Sequence, residues 1–75
     1  MRELRPYGIY QPPGGLRPVY AIHAYDGYYL YDSEYGTRLP PRFVVKPDGR
    51  VESWHGEPVK WRADELGDTG KTFDP

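Results

Sequence analysis

Cysteine is absent from the 75 residues, which excludes disulfides and thiolate metal sites together. Histidine is scarce, and His23 and His55 alone cannot complete a structural zinc site. No apolar run approaches the roughly 20 residues that cross a bilayer as a helix. Met1 to Arg5 also lacks the apolar segment of a signal peptide. The expectation is a soluble, cytoplasmic protein with no membrane partner. Like charges never run to four residues, because ten basic and eleven acidic side chains are interspersed for a net charge of −1. Clustered lysine and arginine, which supply most of the affinity for phosphates, are therefore missing, and a nucleic acid is not the expected partner. Asparagine is absent and glutamine and methionine occur once each, beside seven arginines and nine prolines. Such a composition is compatible with a thermophilic source.

These absences narrow the ways in which the chain can be stable. One domain of this size buries only roughly 60% of the surface that its unfolded chain exposes. With disulfides and metals excluded, dense packing and self-association remain. Twelve aromatic residues stand beside five leucines, two isoleucines and five valines. Each ring buries about 150–250 Å², so a thin, aromatic-rich core is expected. Eight of the aromatics are tyrosine, and five of those lie between Tyr25 and Tyr35.

Glycine or proline interrupts nearly every ten-residue stretch, which leaves no room for helices of ordinary length. The exception is Arg62 to Leu66, which could form a single helical or 3-10 turn before Gly67. Strand signals are clear. Tyr7 to Gln11 reads as a first strand ended by Pro12-Pro13-Gly14-Gly15. Pro18 to Tyr25 and Tyr28 to Asp32 read as a hairpin around Asp26-Gly27, a strong signal for a type I′ turn. That turn would place Tyr25 opposite Tyr28 and Ile22 opposite Tyr31. Tyr20, Ile22, Ala24, Tyr29 and Tyr31 then share one face, and Val19, Ala21, His23, Tyr25, Tyr28 and Leu30 the other. Neither face is polar.

A second hairpin pairs Arg42 to Lys46 with Arg50 to Trp54 through Pro47-Asp48-Gly49, where the order proline then glycine favours a type I turn with a glycine bulge. It sets Val45 opposite Val51 and Phe43 opposite Ser53, and lets Arg42 stack over Trp54. His55-Gly56 turns the chain into a last strand from Glu57 to Arg62, which Pro58 marks as an edge or a strand start. The pattern predicts an all-β domain over residues 1–66, a small antiparallel meander of about five short strands. It would close, or nearly close, into a barrel of Src-homology-3-like size. Residues 67–75 read as a turn-rich, mobile tail unless Phe73 docks back. Ala24-Tyr25-Asp26 resembles the opening strand of Src-homology-3 domains. That family's paired tryptophans and later proline–tyrosine signature have no counterpart, so no family is assigned.

Motifs of catalysis and cofactor binding fail on inspection. Gly70-Lys71-Thr72 resembles the end of a phosphate-binding loop, but Glu65 stands where the pattern needs its first glycine. Asp32, Ser33 and Glu34 lack the alternating ligand spacing of a calcium loop. His23 lies mid-strand on an apolar face, where a histidine most often meets a tyrosine or the backbone. No metal, cofactor or enzymatic activity is expected. The candidate site is the tyrosine-rich face, Tyr20, Tyr25, Tyr28, Tyr29, Tyr31 and Tyr35, with His23, Arg38, Arg42 and Trp54 as accessory residues. The leading expectation is a non-enzymatic interaction module or small subunit that binds itself or another protein there. The alternative is a module that stacks carbohydrate or single-stranded nucleic acid on the same rings.

Overall fold

Frequent proline and glycine favour short strands, and the computed structural model, which describes residues 3–74, contains seven of them. They are β1 (Gly8–Gln11), β2 (Val19–Ala24), β3 (Gly27–Asp32), β4 (Phe43–Val45), β5 (Arg50–Ser53), β6 (Pro58–Arg62) and β7 (Gly67–Thr72). Single 3-10 turns occupy Gly36–Arg38 and Ala63–Glu65. All seven strands form one antiparallel sheet in the order β6-β5-β4-β3-β2-β1-β7. The first six make a meander, and β7 returns to the free side of β1. The two edges, β6 and β7, are separated in sequence only by the second 3-10 turn and Leu66. The three turn residues cover only about 6 Å at about 2 Å rise, and Leu66 adds at most about 3.5 Å. The edges must therefore approach each other at that end, and the sheet curls into a half-barrel. Among the described residues, no helix is long and apolar enough to cross a membrane.

The β2–β3 hairpin differs from the expected register. Ala24 pairs with Gly27 and Ile22 with Tyr29, so the turn residues are Tyr25 and Asp26 rather than Asp26 and Gly27. None of these three has positive φ, so the turn is not type I′. The physical reason lies outside the hairpin. Gly27 opens β3 where the strand crosses β4, and a Cβ there would overlap the carbonyl oxygen of Val45. The glycine serves a close approach of backbones, not a turn. Because the slip is two residues, the paired side chains keep their faces, while Tyr25 passes from the expected inner face to the turn. The second hairpin has the expected pairs, Val45 with Val51 and Phe43 with Ser53. Gly49 at φ 89° closes its turn by donating to the Lys46 carbonyl at 2.9 Å.

The inner face of the curl holds the core: Tyr10, Val19, Ala21, Tyr28, Leu30, Phe43, Val45 and Val51, with Leu4, Ala63 and Leu66 entering from outside the strands. Ala63 and Leu66 bring the second 3-10 turn into the core, where the Ala63 N–H donates to the Gly49 carbonyl at 2.9 Å. Two core tyrosines hold the N-terminal segment. The Tyr28 hydroxyl accepts from the Leu4 N–H at 3.2 Å, and the Tyr10 hydroxyl from the Arg5 N–H at 2.8 Å. A buried tyrosine usually finds such a partner for its polar tip.

The segment expected as a tail is instead strand β7, and Phe73 does dock. Arg5 joins β7 to the body of the protein through a two-pronged pair with Asp68, at 2.9 and 2.7 Å, and bonds to the Lys71 carbonyl and Thr72 hydroxyl. Pro75 lies outside the described residues. Both edges carry features that discourage further strands. β6 begins with Pro58 and exposes Lys60 and Arg62. On β7 the N–H groups of Gly70 and Lys71 are taken by the side chains of Asp68 and Thr69. The pairing of β7 with β1 also slips between Gly8 and Tyr10.

Candidate interaction surface

The outer face of the sheet is built from the residues that alternate with the core. Ile9, Tyr20 and Tyr31 form one row across β1, β2 and β3, and Ile22, Tyr29, Val44 and Glu52 a second across β2 to β5. Their rings touch in sequence. Tyr7 stacks beside Tyr20 at 6.0 Å between centroids and 15° between planes, and Tyr20 beside Tyr31 at 5.7 Å and 25°. Tyr31 meets Tyr29 edge-on at 6.4 Å, and Tyr29 meets Trp54 edge-on at 5.9 Å. Phe73 lies flat on Tyr20 at 3.9 Å and 6°. Five rings thus form an unbroken path from the start of β1 to the β5–β6 turn, with a sixth capping its second member.

Backbone geometry places the first of these rings. Arg5-Pro6-Tyr7-Gly8 is a tight turn in which the Gly8 N–H donates to the Arg5 carbonyl at 2.9 Å. Tyr7 occupies the position where proline-led turns usually carry glycine, at φ 59°. A left-handed residue with a Cβ costs about 1 kcal/mol or more. What accompanies it here is the ring contact with Tyr20. The Phe73 N–H donates to the Tyr7 carbonyl at 2.7 Å, so the same turn holds the capping ring.

Burial divides the path. Tyr20 is only 1% exposed, while Tyr7 is 37% and Trp54 45% exposed, and Ile22, Tyr29, Tyr31 and Val44 are half-buried. Burial pushes the Tyr20 phenol above its usual range, with the neighbouring Tyr31 and Tyr7 adding to the effect. Beside Tyr20 the face deepens into a groove of ≈ 430 Å³, lined by Tyr7, Ile22, Tyr35, Arg38 and Phe73 among others.

The loop that walls this groove is organised by Asp32. Its carboxylate accepts from the N–H groups of Glu34 at 2.8 Å and Tyr35 at 3.1 Å, and from Arg17 Nε at 3.0 Å, while Arg42 approaches to 3.5 Å. Burial pushes its carboxyl up, but the two backbone donors and Arg17 outweigh that and hold it below the usual carboxylate range. Arg17 also pairs with Glu34, and its guanidinium lies over the Tyr35 ring at 5.3 Å, with Arg38 over the same ring at 5.8 Å.

The expected site residues are therefore split. Tyr20, Tyr29, Tyr31 and Trp54 belong to the ring path, and Tyr35 and Arg38 to the groove wall. Tyr28 lies in the core on the opposite face, and Tyr25 stands alone at the hairpin tip. His23 is exposed beside the N-terminal segment, its ring edge-on to Tyr28 at 5.1 Å. Arg42 lies over Phe43 at 5.8 Å and pairs with Asp32, which displaces the expected stacking on Trp54. Tyr7 and Phe73 line the groove without having been expected as site residues, beside Ile22, which lies on the face expected for it. The signal for Tyr7 was the Pro-Tyr-Gly turn, and for Phe73 an aromatic directly after a polar segment. Among the described residues, no three of His, Cys, Asp and Glu gather as metal ligands.

No protein family, curated protein or solved structure matches this chain. What the site does must follow from its chemistry alone. A strip of half-exposed rings without a cluster of titratable groups can bind by burial and stacking.

Proposed function

We propose that the protein is a non-enzymatic interaction module that self-associates through its outer aromatic face. The observation that carries this reading is the ring path from Tyr7 to Trp54, which among the described residues is fully covered only at Tyr20. Large contiguous apolar patches are uncommon on monomers unless they bind something. Two charged pairs at its rim, Lys46 with Glu52 at 3.8 Å and Arg17 with Glu34, are neutralised within the chain, which suits a contact made mainly by rings. The guarded edges of β6 and β7 argue against association by strand addition. A stable interface takes about 800 Å² from each partner, about one-sixth of the 4779 Å² surface, so one whole face is the natural unit.

The test is molar mass by light scattering for the wild-type chain and for a Tyr29→Ser/Trp54→Ser double variant. The wild type should assemble with rising concentration and the variant should shift towards monomer while keeping its circular dichroism. A wild-type mass that stays monomeric would reject the reading.

A second reading has one observation in its favour. The groove places the polar groups of Glu34, Thr37 and Arg38 beside aromatic rings, an arrangement that suits a sugar stacked on Tyr7 or Tyr35. Glycan binding that changes little with salt, in a monomeric protein, would favour it.

A further inference from the structure

The β2–β3 hairpin tip has a side chain that its own fold does not use. Tyr25 is 103% exposed, whereas Tyr7, Tyr35, Leu39 and Trp54, the other exposed large apolar residues, lie between 37% and 47%. Among the described residues its ring makes no aromatic contact and its hydroxyl no hydrogen bond. The turn does not need an aromatic, since Asn, Ser or Asp would serve an exposed two-residue turn as well. Asp26 beside it is exposed and has no ion pair among the described residues. The groove beside Tyr20 shows the complementary features. Its lining rings are Tyr7, Tyr20, Tyr35 and Phe73, and its ≈ 430 Å³ accommodates a further ring. Arg38 at its rim donates to the Tyr35 carbonyl at 3.2 Å but has no carboxylate partner among the described residues. Glu34, the acid of the same groove, is neutralised by Arg17.

We propose that this groove receives the Tyr25-Asp26 tip of a second copy of the chain. The ring of Tyr25 enters among the groove aromatics, and the Asp26 carboxylate meets the Arg38 guanidinium. This rests on the self-association reading and names its contact. Knob and groove lie on the same chain, so two copies can exchange tips about a two-fold axis and satisfy both sites at once. An aromatic anchor in a pocket, with a charged pair at its rim, is the usual makeup of an interface hot spot.

The experiment measures the dimer dissociation constant by concentration-dependent light scattering. Tyr25→Ala should raise it at least about tenfold with no change in melting temperature at concentrations where both chains are monomeric, because the side chain contributes nothing within the monomer. Asp26→Arg and Arg38→Asp should each weaken association alone. Mixed in equal amounts, the two variants should recover it as a heterodimer, since every tip then faces a groove of opposite charge. A wild-type chain that is monomeric throughout rejects both this contact and the self-association reading. A wild-type dimer whose constant is unmoved by all three substitutions overturns the tip-in-groove contact and leaves association by the face standing. Weakened variants that do not recover on mixing overturn the Asp26–Arg38 pairing, and with it the proposed docking.

Discussion

The inner and outer faces of the sheet are both rich in tyrosine, yet they end in different states. On the inner face, Tyr10 and Tyr28 are buried, and their hydroxyls accept backbone N–H groups of Arg5 and Leu4. The N-terminal segment and the second 3-10 turn cover that side. On the outer face only Tyr20 is fully covered, by Tyr7 and Phe73, and Tyr29, Tyr31 and Trp54 keep part of their surface in water. The difference does not come from residue type. It comes from which segments of chain reach each face and whether they bring a donor for the phenol. Tyr10 and Tyr28 are covered by segments that bring a donor to each hydroxyl, and Tyr20 is covered by the rings of Tyr7 and Phe73. Tyr29 and Tyr31 remain only half-buried and available for contact.

Substitutions that exchange or remove these roles test the contrast. Tyr28→Ala should cost about 3 kcal/mol or more in chemical denaturation, as for other buried aromatics, whereas Tyr29→Ala should cost below about 1 kcal/mol. Equal losses would erase the distinction between the faces. Gly27→Val should lower stability by more than about 1 kcal/mol, because its side chain meets the Val45 carbonyl on the strand that both faces share. An unchanged melting temperature would show that β3 does not pass β4 as described. Removing hydroxyls alone sharpens the comparison further. Tyr28→Phe leaves the Leu4 N–H without its acceptor and should cost about 1 kcal/mol or more, while Tyr31→Phe should be close to neutral in thermal melts.

The groove wall should also respond to acid. The folded-state pKa of Asp32 lies below its unfolded value of about 3.9. Its contribution to stability is therefore complete above that value and is lost as pH falls through the folded pKa. Acid unfolding curves should show a smaller drop below about pH 4 for Asp32→Asn than for the wild type. Parallel curves would mean that Asp32 does not organise the 33–38 loop.

Much of this architecture was legible because strand parity survives small errors. The alternation from Val19 to Asp32 assigned the paired side chains their faces although the hairpin register was off by two, and failed at Tyr25, which the turn takes out of the strand. The turn itself was misread because Asp26-Gly27 is a strong local signal, while the reason for Gly27 is a contact with Val45 eighteen residues away. Strand β7 was hidden for a similar reason. Gly67 to Thr72 has no apolar alternation, and its place depends on Arg5 with Asp68 and on Phe73 with Tyr20. The tyrosines of the candidate site were legible as a group, but their division was not. Nothing near Tyr28 in sequence announces that its hydroxyl meets Leu4, and nothing near Tyr20 announces Phe73.

The most direct test of the contact surface is a concentration series of two-dimensional amide NMR spectra on the wild-type chain. Diluting tenfold should move the signals of the hairpin tip at 25–26, the 34–38 loop and the outer-face strand residues around Tyr29 and Tyr31, and leave the edge strands β6 and β7 unchanged. Spectra that do not change with concentration, or changes confined to β6 and β7, would contradict association through the aromatic face.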